Sequence, residues 1–292
     1  DVEEEHVLPI VDPREEELPD VVSLSEIEFK GIENLDPYSF YGLAGPLGTP
    51  AGVVSTLNEA INKAGRQRML SQRMAKAWLA MGQGIEATRA EKVLNDSMAL
   101  FDRQLVELKV YAPSDAIKNT YTELDQVWSE FKTVLVGSAP DKANANRLIQ
   151  LDTKVLKLAQ QGTVQLEQVS GKSSGHLVNL AGRQRMLSQR TAKYYLSQSW
   201  GVNVPEAAKE LSTARQEFST ALQTLSNAPE ATNAIKQELG IASQQWIFFD
   251  NALNRLNDPS SSASRRAAEV FSTSENILQQ MDQVTSLYSK LV

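Results

Sequence analysis

The chain has 292 residues, a net charge of −7 and no cysteine. Its length suits two ordinary domains with a core in each, and the missing thiols exclude disulfides, cysteine-held metals and thiol catalysis. With two histidines, His6 and His176, a histidine metal centre or a Ser–His–Asp triad is equally unpromising, and no apolar run reaches the roughly 18–20 residues of a membrane span. The first element is an arm, residues 1–50. It holds 13 acids against Arg14 and Lys30, and six of the 11 prolines. Proline and glutamate at that density predict extended chain rather than helix. Short apolar clusters at Val7–Ile10, Val21–Leu24 and Tyr38–Leu43 give the arm the means to dock, on its own body or on a neighbouring copy. His6 beside Glu3, Glu4 and Glu5 reads as a solvated acidic run rather than a metal site.

From Gly52 onward apolar residues recur every three or four positions, which predicts helix. Eight helices are expected, near 53–83, 86–111, 114–136, 141–169, 176–199, 205–227, 230–256 and 261–290. Prolines beside helix-start residues, as in Ala112-Pro113-Ser114-Asp115, punctuate them. Ser170–Gly175 is read as a flexible turn between the fourth and fifth.

The body repeats. Residues 65–76 read GRQRMLSQRMAK and residues 182–193 read GRQRMLSQRTAK, identical at 11 of 12 positions at an offset of 117. Fainter echoes keep that spacing to within one residue: Phe101 with Phe218, Leu105 with Leu222, and Trp128 with Trp246. The expected fold is therefore all-α, with two tandem up-down four-helix bundles, residues 51–170 and 171–292, behind the extended acidic arm. Most of each bundle has diverged while one polar dodecapeptide has not, and packing alone rarely asks that of arginine and glutamine.

On a helical wheel Arg68 projects from a seam of Ile61, Gly65, Gln72, Ala75 and Leu79. The second copy gives Val178, Gly182, Arg185, Gln189, Ala192 and Leu196. Arg66 and Arg73 fall on a flank, solvated or paired. An up-down bundle returns its chain to the starting end, so the fifth helix can run parallel to the first and bring Arg68 to Arg185 across a pseudo-twofold axis. Gly65 and Gly182 would let the backbones approach. Guanidinium groups about 6 Å apart repel by roughly 3 kcal/mol at an effective dielectric of about 20. Between Glu59 and Glu86 the sequence offers no acid to offset this. A small oxyanion accepting forked hydrogen bonds from both arginines fits. The alternative is that the arginines only cap carbonyls and that the repeat is a young duplication.

The stretch Ala60–Arg73, AINKAGRQRMLSQR, resembles the signature of the nitrate and nitrite sensors of the NarX type and of the PilJ-type chemoreceptors. The resemblance implies a periplasmic four-helix-bundle module in which one nitrate- or nitrite-like anion binds between the first helices of two subunits. The implied ligands here are Arg68 and Arg185 with Gly65 and Gly182. Possible supporting groups are Lys63, Gln72, Gln189, Arg73 and Arg190. Lys63 matches the motif lysine, but the second copy has Leu180 there. The resemblance covers about 20 residues in each half and none of residues 1–50.

Two functions compete. One is a non-enzymatic, extracytoplasmic oxyanion-binding protein with the dimeric site folded into one chain; a start at Asp rather than Met is what a processed, secreted protein would show. The other is a structural subunit, polymerised through the arm, that reuses the sensor fold. No cofactor beyond a bound anion is expected and no metal. An acidic chain with few clustered bases is not expected to bind nucleic acid, and no nucleophile or paired carboxylates converge to make an enzyme.

Overall fold

A computed structural model describes residues 50–202, 204–205 and 207–291. They form eight helices: α1 (Ala51–Gly82), α2 (Ala87–Tyr111), α3 (Asp115–Gly137), α4 (Lys142–Ser170), α5 (Ser173–Ser199), α6 (Ala207–Asn227), α7 (Asn233–Leu253) and α8 (Ala263–Ser289). There is no strand among the described residues. The acidic arm, and with it self-association through the arm, lies outside them. No described helix is long and apolar enough to cross a membrane.

Helix starts follow side-chain chemistry. Ser114 accepts from the Ile117 N–H at 3.4 Å, Asp141 from Asn144 at 2.9 Å, Thr232 from Ile235 at 3.3 Å and Ser262 from Arg265 at 3.3 Å. Each satisfies one of the donors a helix start leaves unpaired. The turn into α5 is tighter than expected. Gly171, at φ 55°, ends α4 in the left-handed region that favours glycine, and α5 begins at Ser173 rather than near 176. Ser173–Gly175 is helix, not flexible chain, because Gly175 packs on Ser170: a Cβ there would lie 2.6 Å from the Ser170 hydroxyl oxygen.

Helices α1–α4 and α5–α8 form two tandem modules. In each, the first helix packs on the second and fourth, and the third on the fourth. The faint echoes in sequence are buried aromatic pairs: Phe101 with Trp128 at 4.2 Å between centroids, Phe218 with Trp246 at 3.9 Å. The most extensive helix contact in the molecule joins α1 to α5. It is parallel and in register with the repeat. Asn58 donates to Ser174 at 3.2 Å at one end, Lys193 to Gln72 at 2.7 Å midway, and Gln83 to the Leu196 carbonyl at 3.1 Å at the other. One apolar core therefore runs through both modules, from Ile61, Leu70 and Leu79 to Val178, Leu187 and Leu196.

Candidate functional site

Every seam residue of α1 except Arg68 and Gln72 is apolar or glycine, yet both polar side chains are 0% exposed, as are Arg185 and Gln189. Each guanidinium folds back over the glycine one turn before it. A Cβ on Gly65 would lie 3.0 Å from Arg68 Nη2 and 3.6 Å from Arg185 Nη2; one on Gly182, 3.1 Å from Arg185 Nη2 and 3.6 Å from Arg68 Nη2. Both nitrogens are thus within 3.6 Å of a single point, on either helix. The glycines make room for guanidinium groups more than for backbone. Two like charges meet in the middle of the interface.

Their partners differ. Arg185 Nη1 donates to Asp282 of α8 at 2.5 Å, and its Nη2 donates to the Asn62 side-chain oxygen at 2.9 Å. Arg68 Nη1 donates to Gln160 of α4 at 2.6 Å, and its Nη2 donates to the Asn179 carbonyl at 3.4 Å. No carboxylate touches Arg68 in any ion pair among the described residues. The Nε of both arginines lacks a hydrogen-bond partner there. Burial, then repulsion from Arg183 and Arg185, pulls Arg68 down to about 9. Burial draws Arg185 down to about 10, against the opposing pull of Asp282. Both remain charged at neutral pH.

Sequence reasoning left this pair with no acid. The acids come from the fourth helix of each module. Asp282 serves Arg185 and, at 2.8 Å, Arg66 as well. Glu275 takes Arg73 at 2.5 Å and Lys76 at 2.6 Å, and Asp152 takes Lys193 at 2.5 Å. Part of the charge assigned to an oxyanion is therefore met by the protein itself, on the Arg185 side.

The supporting residues separate into two groups. Gln72 lies one turn beyond Arg68, donating to Asp152 at 2.7 Å and accepting from Lys193 at 2.7 Å. Gln189 donates to the Ser274 carbonyl at 2.8 Å. These two line the α1–α5 interface. Lys63 faces away, paired with Glu59 at 2.8 Å and Glu107 at 3.1 Å. Arg73 is committed to Glu275, and Arg190 to Glu210 at 2.6 Å. None of the last three is brought to the arginine pair.

Lys76 and Lys193, the last residues of the two dodecapeptides, are 0% and 1% exposed and were missed as interior charges. They reach across the interface in exchange: Lys76 of α1 to Glu275 of α8, Lys193 of α5 to Asp152 of α4. Burial draws Lys76 down to about 8 against the pull of Glu275. The signal was available, since the wheel that centres Arg68 puts Lys76 closer to the seam than Arg66 or Arg73.

No group of three or more histidines and acids capable of holding a metal occurs among the described residues. No curated protein and no solved structure matches the chain significantly. The model of the PilJ family, the N-terminal domain of type IV pili methyl-accepting chemotaxis transducers, matches residues 55–153 and again residues 169–287. Two copies of the domain cover most of the chain, each holding one dodecapeptide, and the protein belongs to the PilJ family.

Proposed function

We propose that the protein is an extracytoplasmic sensory module that binds one small, singly charged oxyanion, of the nitrate or nitrite kind, between Arg68 and Arg185. The observation that carries this reading is the charge count at the pair: of two fully buried guanidinium groups only Arg185 touches a carboxylate, Asp282, while Arg68 meets the Gln160 amide. An anion beside Arg68 and within reach of both Nε–H groups would supply the missing charge and the missing acceptors at once. Gly65 and Gly182 keep both guanidinium groups close enough to act on one ligand. The family supports a sensory rather than a catalytic role. The reading assigns no bond-making step.

Thermal denaturation of the whole chain with sodium nitrate, nitrite or chloride at equal ionic strength tests it. Nitrate or nitrite at about ten times its Kd should raise Tm by about 3 °C, because a ligand that binds only the folded state stabilises it by mass action. Arg68→Ala and Arg185→Ala should abolish the rise. Equal Tm values in the three salts would leave the paired arginines as structure alone.

A further inference from the structure

The two modules are built alike but differ at one position beside the arginine pair. The fully buried residues Val155, Ala159, Thr163 and Leu166 of α4 match Ile277, Met281, Thr285 and Tyr288 of α8 one for one. In that register Gln160 corresponds to Asp282, and each receives Nη1 of its module's arginine. The flanking arginines correspond too: Arg66 and Arg183 are the same residue of the two dodecapeptides.

Around Asp282 of the second module, with Arg66 reaching over from the first, these parts make a complete socket. One Asp282 oxygen accepts from buried Arg185 at 2.5 Å and from the rim residue Arg66 at 2.8 Å, so a carboxylate bridges the two guanidinium groups. In the first module the carboxylate is replaced by an amide. Arg183 turns instead to Glu217, at 2.7 Å, in a pair whose members are 34% and 38% exposed. Such a rim pair is worth little and is readily exchanged.

We propose that Arg68 and Arg183, on either side of Gln160, form a second anion site that takes the carboxylate of a small organic acid from solvent, in the manner that Asp282 occupies its own socket. Asp282 is the template: it displays the ligand group, the two donors and the orientation in the same molecule. The site lies on the outer side of Arg68, at Nη1, whereas the central oxyanion uses Nη2 and Nε. It goes beyond the central reading and does not depend on it. The acid must displace the Gln160 amide oxygen, which already accepts from Arg68 Nη1 at 2.6 Å, so it must carry its charge on a small group. The Arg183 charge acts on Arg68 more strongly than that of Arg185, and the carboxylate that opposes it, Glu167, is itself held by His176 and Asn179.

Acetate is the probe. Added to the full chain at about ten times its Kd, against chloride at equal ionic strength, it should raise Tm by about 3 °C. Arg183→Ala, at a half-buried position on the rim, should remove the acetate response and keep any nitrate response. Gln160→Asp should raise Tm without acetate and make the protein insensitive to it, since the carboxylate is then built in. No acetate response in the unaltered chain, or an equal response in all three proteins, would overturn the proposal. A chain that answers acetate but not nitrate would refute the central site and leave this one standing.

Discussion

Arg68 holds a charge inside the protein without a counter-charge in contact, and a residue in that position stabilises nothing by itself. Exchanging a buried ion for an apolar side chain of similar volume is often neutral or stabilising. Arg68→Met should therefore raise the stability of the protein in the absence of added anion by about 1–2 kcal/mol in denaturant unfolding, and should remove the proposed nitrate response. A loss of stability would mean that the Gln160 and Asn179 hydrogen bonds matter more than the charge. Glu275 is the opposite case. Burial alone would raise its pKa, but Lys76 and Arg73 outweigh it and hold the carboxyl at about 2, against 4.5 unperturbed. The stability it contributes is complete above the unfolded value and is lost as pH falls from 4.5 towards 2. At about 1.4 kcal/mol per pH unit, an acid titration should lose on the order of 3 kcal/mol through that window in the unaltered protein. Glu275→Gln should flatten the slope there.

The α1–α5 seam is the element that both proposed sites depend on, and it was readable in advance. Helical period, repeat offset and the return of an up-down bundle together place Arg68 against Arg185 without any structure. The residues that complete the charge pattern were not readable, because nothing local announces them. Asp282 is 97 positions from Arg185, and Asp152 is 80 from Gln72. They lie on helices whose sequences have diverged, so the repeat that exposes the arginines conceals their partners. Gln160 and Asp282 become counterparts only when the buried faces of α4 and α8 are aligned. The exchanged lysines tie the first helix of each module to the fourth helix of the other. Lys193→Ala would leave Asp152 fully buried and without its cation, and should cost about 3–5 kcal/mol in denaturant unfolding. The double change Lys193→Met with Asp152→Leu should recover most of that loss, as removal of a whole buried pair does.

Among the described residues the buried core runs from Val54 to Tyr288, on the eight helices and the turns between them. Removing residues 1–49 should leave a folded protein with unchanged helical circular dichroism per described residue. Light scattering of the full and shortened chains would then isolate what the arm contributes to assembly; monomers in both would end the polymer reading. The tight Gly171–Lys172 turn has a consequence of another kind. When two separate subunits build a site between them, its occupancy depends on their concentration, and a ligand can promote the pairing itself. Here the halves are tethered by two residues, so each meets the other at an effective concentration that dilution cannot change. Ligand affinity should be the same at nanomolar and micromolar protein. Under the proposed function, a message carried by the anion would be expressed as a change of shape within one chain, since both halves of the site are already joined.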